Sequence, residues 1–146
     1  MKKALFEETY AKTQKAKKAY HEATSEAEQA AARELYKKAT EGLAGLGNAE
    51  LQIWSDYETS RDRGNEYLDI SGTVRDSEVE HLIACMRNCG IEAFTFSSTW
   101  SGAVETAWLF QKAGCTLAGL VEINSHYDTS MREGYAKAHG YLFKVN

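Results

Sequence analysis

Proline is absent from the 146 residues, where ordinary usage of about 5% would supply about seven. Its absence removes the commonest helix breaker and the slow X–Pro isomerisation step, so long uninterrupted helices are favoured. Cysteine is scarce: three residues, an odd number, exclude a fully paired disulfide framework. Long apolar runs are missing, and nothing approaches the roughly 18 residues that span a bilayer. The opening MKKALFEETYAK has two lysines with no apolar stretch behind them, unlike a secretory signal. These features lead to the expectation of a cytoplasmic, reduced protein without membrane association. Basic excess is missing too. The net charge is −4, the opposite of a nucleic-acid footprint, so direct nucleic-acid binding is not expected. No Gly-x-Gly-x-x-Gly or Gly-Lys-Ser/Thr loop and no Gly-x-Ser-x-Gly elbow occurs. No cofactor is implied and no catalytic residue is assigned.

What is present is an ordinary globular composition, 43% hydrophobic and 26% charged, enough for one domain or one small domain with an appendage. The charge is uneven. Residues 1–48 hold nine Lys/Arg against seven Asp/Glu, a balance of +2, and residues 49–146 hold eight against fourteen, a balance of −6.

From Lys2 to about Glu41 there is no glycine, and Ala, Glu, Lys, Gln and Leu dominate, which reads as helix. Ala16, Tyr20, Ala23, Ala27 and Ala30 recur at spacings of four and three, and Leu35, Ala39 and Leu43 continue the line. Such a small-residue seam lets another helix approach closely and offers a homodimer contact. With no turn residue between the halves, one helix of about 60 Å is the preferred reading. The alternative is a break at TSEAE, where Ser25 and Glu28 form a capping box, giving a hairpin. Gly42, Gly45 and Gly47 end this helical arm (residues 1–47), and a shorter helix from Ala49 to about Arg61 leads a second unit, residues 48–146.

There the hydrophobic period changes. EYLDIS, IEAFTFS, TLAGLVEIN and YLFKV read as strands, with helices over DSEVEHLIACMRNCG and SGAVETAWLFQKAG. A helix-ending glycine followed directly by an apolar strand occurs at Gly90 and Gly114, as in successive β-α-β units. The expected fold is α+β or α/β: a helical arm, then β-α-β-α-β(-β) with a mostly parallel sheet and the last strand at an edge.

Parallel strands would gather three hydroxyl-rich loops at one edge: SGTVRD (71–76), SSTWSG (97–102) and NSHYDTS (124–130). Ser71, Thr73, Arg75, Ser97, Ser98, Thr99 and Ser101 could then cradle an anion or nucleotide in a small enzyme or ligand sensor. The simpler reading is preferred: Thr99 or Ser101 caps a helix and Trp100 covers the core edge. His81, Cys85 and Cys89 lie four apart on one helix, and Cys115 and His126 could complete a zinc set. The spacing matches no Cys-x-x-Cys pair, so no metal is assigned. Ser97 or Cys115 with His126 and Asp128 makes a triad by type only, and Asp69 and Asp76 flank the first loop. In the helix carrying Trp108, Ala103, Ala107 and Phe110 form the inner face, with Val104 and Trp108 to one side. An exposed tryptophan there would anchor a partner, unless the long helix packs over it. Trp100, Trp108, Asp128 and Glu133 are the expected partner contacts.

The build (small, proline-free, a long helix joined to a little acidic α/β unit) resembles accessory proteins of phages and other bacterial mobile elements, anti-CRISPR inhibitors among them. The resemblance covers size, charge and layout, and carries no residue across. It implies a non-enzymatic binding protein that occupies a surface on a protein or nucleoprotein machine of CRISPR type.

Overall fold

A computed structural model describes residues 2–127 and 134–146. Two helices open the chain, α1 (Lys2–Glu22) and α2 (Glu26–Ala39), and a 3-10 turn (Glu41–Leu43) leads to α3 (Asn48–Asp62). Strand β1 (Leu68–Ile70), a 3-10 turn (Asp76–Glu78), α4 (Val79–Cys89), β2 (Ala93–Phe96), α5 (Ala103–Lys112), β3 (Cys115–Tyr127) and β4 (Tyr135–Val145) follow. This is an α+β fold with N-terminal helices.

The preferred single N-terminal helix is not formed; the chain folds back as a hairpin at TSEAE. Ser25 is extended, and its hydroxyl accepts the Glu28 N–H at 3.2 Å. The Glu28 carboxylate in turn accepts the Thr24 N–H at 2.8 Å, one residue before the N-cap, a variant of the capping box. The fold-back covers small residues that a lone helix would leave wet. Thr9, Thr13 and Ala16 of α1 and Ala32 and Ala39 of α2 are buried. Ala27 and Ala30, expected on the same seam, are exposed.

The hairpin is tied to α3 by rings and charges. Phe6 is fully buried with its ring 5.6 Å from both Trp54 and Tyr57. Asp62 accepts hydrogen bonds from Tyr10 (2.9 Å), Gln14 (3.0 Å) and Lys17 (2.7 Å). Glu58 accepts one from Tyr36 at 3.1 Å and pairs with Lys17 at 3.4 Å. Burial and these carboxylates push both phenols, Tyr10 and Tyr36, up to about 12. Phe6 belongs to the same buried cluster as the sheet residues, so arm and sheet share one core.

The sheet has four strands in the order β1-β2-β4-β3. The parallel reading holds for β1 with β2, where Leu68 pairs with Phe94 and Ile70 with Phe96. β3 also runs in the direction of β1 and β2, but it is not their neighbour: β4 lies between β2 and β3, interior rather than at the edge. β4 runs antiparallel to both β2 and β3. The reason is the hairpin connection between two long strands, which makes them antiparallel neighbours. The stretch read as a third loop, from Asn124, is strand as far as Tyr127. Asp128 and Glu133 lie outside the described residues.

Strand registers put Phe94 beside Phe143 and Phe96 beside Tyr141 on one face. Phe110 of α5 lies on that face, with ring centroids 5.1 Å from Phe94 and Phe96 and 5.4 Å from Phe143. Gly90 ends α4 at φ +74° and Gly114 follows α5 at φ +103°, left-handed conformations that favour glycine. Replacing Phe6 with alanine leaves Trp54 and Tyr57 uncovered. The expected cost is about 3–5 kcal/mol of unfolding free energy, read by urea denaturation. A loss under about 1 kcal/mol would show that the hairpin is not part of the cooperative core.

Candidate functional site

The loops after β1 and β2 lie side by side, because their strands are parallel neighbours and Ser97 N–H donates to Ile70 C=O at 2.9 Å. Their hydroxyls do different jobs. Ser97 donates to one oxygen of Asp69 at 2.7 Å, and Thr95 donates to the other at 2.6 Å. Gly140 on β4 permits this packing: a Cβ there would lie 3.1 Å from the Thr95 Cβ and 3.6 Å from Asp69. Ser98 Oγ accepts the Trp100 N–H at 3.4 Å. Neither Thr99 nor Ser101 caps α5. Its N-cap is Gly102, without a side-chain cap, and the half-buried Trp100 ring lies over Gly102, 2.2 Å from where a Cβ would be. Thr106 of α5 instead donates to Val74 C=O at 2.8 Å, which ties the first loop to this helix.

Four of the seven residues of the expected anion cradle are divided between two clefts. Thr73 lines a cleft of about 580 Å³ between α3, the first loop and α4, with Gln52, Asp56, Glu78 and His81. Ser97, Ser98 and Thr99 line the rim of a second, about 530 Å³, between α5 and the β3–β4 hairpin. Ser71, Arg75 and Ser101 line neither. The first turn before α4 carries Asp76 and Glu78, so carboxylates already answer the positive helix start.

The first cleft is acidic. Burial pushes Asp56 from 3.8 up to about 6, against the Gln52 hydrogen bond and reinforced by the charge of Asp69. Burial also raises Asp69, against its Ser97 and Thr95 donors and the charge of Arg63. Cys85 and Cys89 are buried on α4, Cys85 Sγ lies 3.6 Å from His81 Nε2, and Cys115 is buried on β3. Among the described residues no group of three His, Cys, Asp or Glu could hold a metal ion.

The second cleft differs in chemistry. Its walls are Val104, Ala107 and Trp108 of α5 and its floor is Leu117, Tyr141 and Phe143. Large side chains stay exposed around it: Val104 at 81%, Trp108 and Leu120 at 60%, Tyr141 at 47% and Leu117 at 43%. Leu120 pairs with Tyr141 across the strands, which joins it to the patch. Lys112 lies over the Trp108 ring at 5.3 Å, holding the ring's orientation at the surface. The hairpin α1–α2 packs against α3 and does not cover Val104 or Trp108. The periodicity of α5 marked these two residues; Leu117 and Leu120 were missed, because an edge strand bared on both sides reads like a buried one, and Tyr141 of β4 was missed with them because it shows only through its register with Leu120.

The architecture defines a class: an α+β protein in which a helical hairpin backs a mixed sheet whose far edge, β3, has no further strand beside it among the described residues. The chain belongs to a family described as a domain of unknown function (DUF7698), which matches residues 52–145. The matched region starts within α3, so it holds both clefts almost whole and leaves out the hairpin. No curated protein and no solved structure matches the chain.

A carboxyl raised in the folded state keeps protons there that the unfolded chain has released. Stability from Asp56 therefore falls as pH rises from about 4 to about 6, and the full cost, on the order of 2–3 kcal/mol, stands at neutral pH. Asp56→Asn is expected to gain about 2 kcal/mol at pH 7 and almost nothing at pH 4, measured by urea denaturation at both values. An equal gain at both would exclude the carboxyl charge as the source.

Proposed function

We propose that the chain is a non-enzymatic protein-binding module that docks a partner on the apolar face between α5 and the β3–β4 hairpin. The observation that carries this is the exposure of Trp108 and Val104 beside Leu117 and Tyr141 in one cleft, with Leu120 exposed next to Tyr141. Soluble proteins rarely bare an apolar patch beyond a few hundred Å² without using it, and a rigid tryptophan is the commonest hot-spot anchor. The surrounding unit carries a balance of −6 over residues 49–146, which suits a partner with basic character around the apolar contact. An inhibitor of a bacterial nucleic-acid-processing complex is one form such a module takes, and the layout resemblance favours it. Three cysteines, an odd number, suit a reducing compartment, and the cytoplasm is the proposed location. No described helix is long and apolar enough to cross a membrane.

Tagged protein passed over bacterial lysate, with and without nuclease, is expected to retain one stoichiometric partner. Trp108→Ala and Val104→Glu should each weaken that capture at least tenfold, the loss expected at a hot spot of about 2 kcal/mol. Both side chains are exposed, so the melting temperature should hold. Capture by both variants equal to the unmodified protein would sink the proposal.

A further inference from the structure

The docking reading makes no use of the other cleft, between α3, the first loop and α4. Its volume of about 580 Å³ falls within the roughly 300–1,000 Å³ of small-ligand sites. Its lining is of two kinds. The buried Ile70 and Val74 and the half-buried Ala49 and Leu82 give it an apolar wall. Asn48, Thr73 and Ser77 bring side-chain polar groups that hold no hydrogen bond among the described residues.

Asp56 is the charge in this cleft that lacks a counterpart. Its half-buried carboxylate accepts one hydrogen bond among the described residues, from Gln52 one turn earlier on α3, at 3.3 Å. No lysine or arginine lines the cleft, and Asp56 forms no ion pair among the described residues. Carboxylates taken out of water are ordinarily paired with a cation. Asparagine would keep the shape and the bond from Gln52 without the charge. A charge that costs stability inside a cavity is the signature of a binding group rather than of a packing one.

The lining also selects the ligand. Asp56 and Glu78 with no basic side chain beside them reject an anion. No group of three His, Cys, Asp or Glu among the described residues could hold a metal ion. An organic cation fits: an ammonium carries three donors, suited to a carboxylate flanked by free hydroxyl and amide oxygens, and an apolar body suits the wall. We propose that this cleft binds a small primary amine in its ammonium form, the charge paired with Asp56 and an apolar body against Ile70, Val74 and Leu82. The site is separate from Trp108 and stands independently of the docking reading. Asp69 behind Asp56, and Glu78 and His81 along the cleft, are the other titratable groups around it. The ammonium takes the ionised carboxylate. Affinity therefore holds at neutral pH and falls, by up to about tenfold per pH unit, below the Asp56 value of about 6.

An NMR titration of the whole chain tests this with 2-phenylethylamine, its alcohol 2-phenylethanol, and phenylacetate. At about pH 7.5 the amine is expected to bind with a Kd of about 1 mM or tighter, shifting amide signals of residues 72–74 and of α3. The alcohol should bind at least tenfold more weakly and phenylacetate not at all. Asp56→Asn should cut amine affinity about tenfold or more, the loss of a charge-assisted bond. Ser77→Lys, at an exposed position of the lining, supplies a cation in cis and should weaken the amine likewise; it decides the matter if Asp56→Asn fails to fold. Between about pH 7.5 and about pH 5 the amine should lose about tenfold in affinity, and His81→Gln should leave that loss in place. No amine binding up to about 10 mM, equal binding of amine and alcohol, or affinity unchanged in both Asp56→Asn and Ser77→Lys would overturn the proposal. So would a pH dependence that disappears in His81→Gln, or amine binding that is lost in Trp108→Ala, which would place the amine in the other cleft.

Discussion

The placement of β4 between β2 and β3 is the constraint on which the rest of the structure depends. It brings Phe143 to 5.5 Å from Phe94 and 5.4 Å from Phe110, ring to ring. It also brings Gly140 to Thr95 and Asp69, where a side chain would crowd the buried carboxylate. Because β4 takes the inner position, β3 is forced outward. A sheet with β3 beside β2 would have buried Leu117 and Leu120 and left no apolar face. The exposed patch is thus the topological complement of the core, and it faces away from the helical hairpin.

Local features of this fold were legible in the sequence, and long-range ones were not. The positions of α3, α4 and α5 could be read, and the break between α1 and α2 only as the weaker alternative, through the Ser25–Glu28 spacing, since capping is a contact between residues three apart. Gly90 and Gly114 marked true helix ends. Strand order was not legible. A right-handed crossover is the default after β-α, and nothing within TLAGLVEIN says that another strand will take its place beside β2. The hairpin strands also ran further than the apolar pattern, through NSHY and YAKAHG, because pairing along a ladder does not require apolar side chains. At the site, Val104 and Trp108 stood out because a helix shows its faces at a 3.6-residue period. The hydroxyl loops misled in one respect: Ser97 serves a buried aspartate on the opposite face of the sheet.

The family match adds a division of labour. Trp54 and Tyr57 lie within the matched residues, and Phe6, which covers them, does not. The same holds for Glu58 and Asp62 against Lys17, Tyr10 and Tyr36. A unit starting at residue 52 would thus present two uncovered rings and two carboxylates from α3, a surface that must be covered by something. Here an Ala-rich hairpin covers it, joining through a mixture of ring packing and charge. The opposite side of the same unit, with Trp108 and the β3 edge, receives no such cover from the described chain. Of the two apolar surfaces on this small domain, one is closed in cis and one is left exposed by the described residues. On the docking proposal, closing the first in cis would keep the stability of the fold independent of binding at the second.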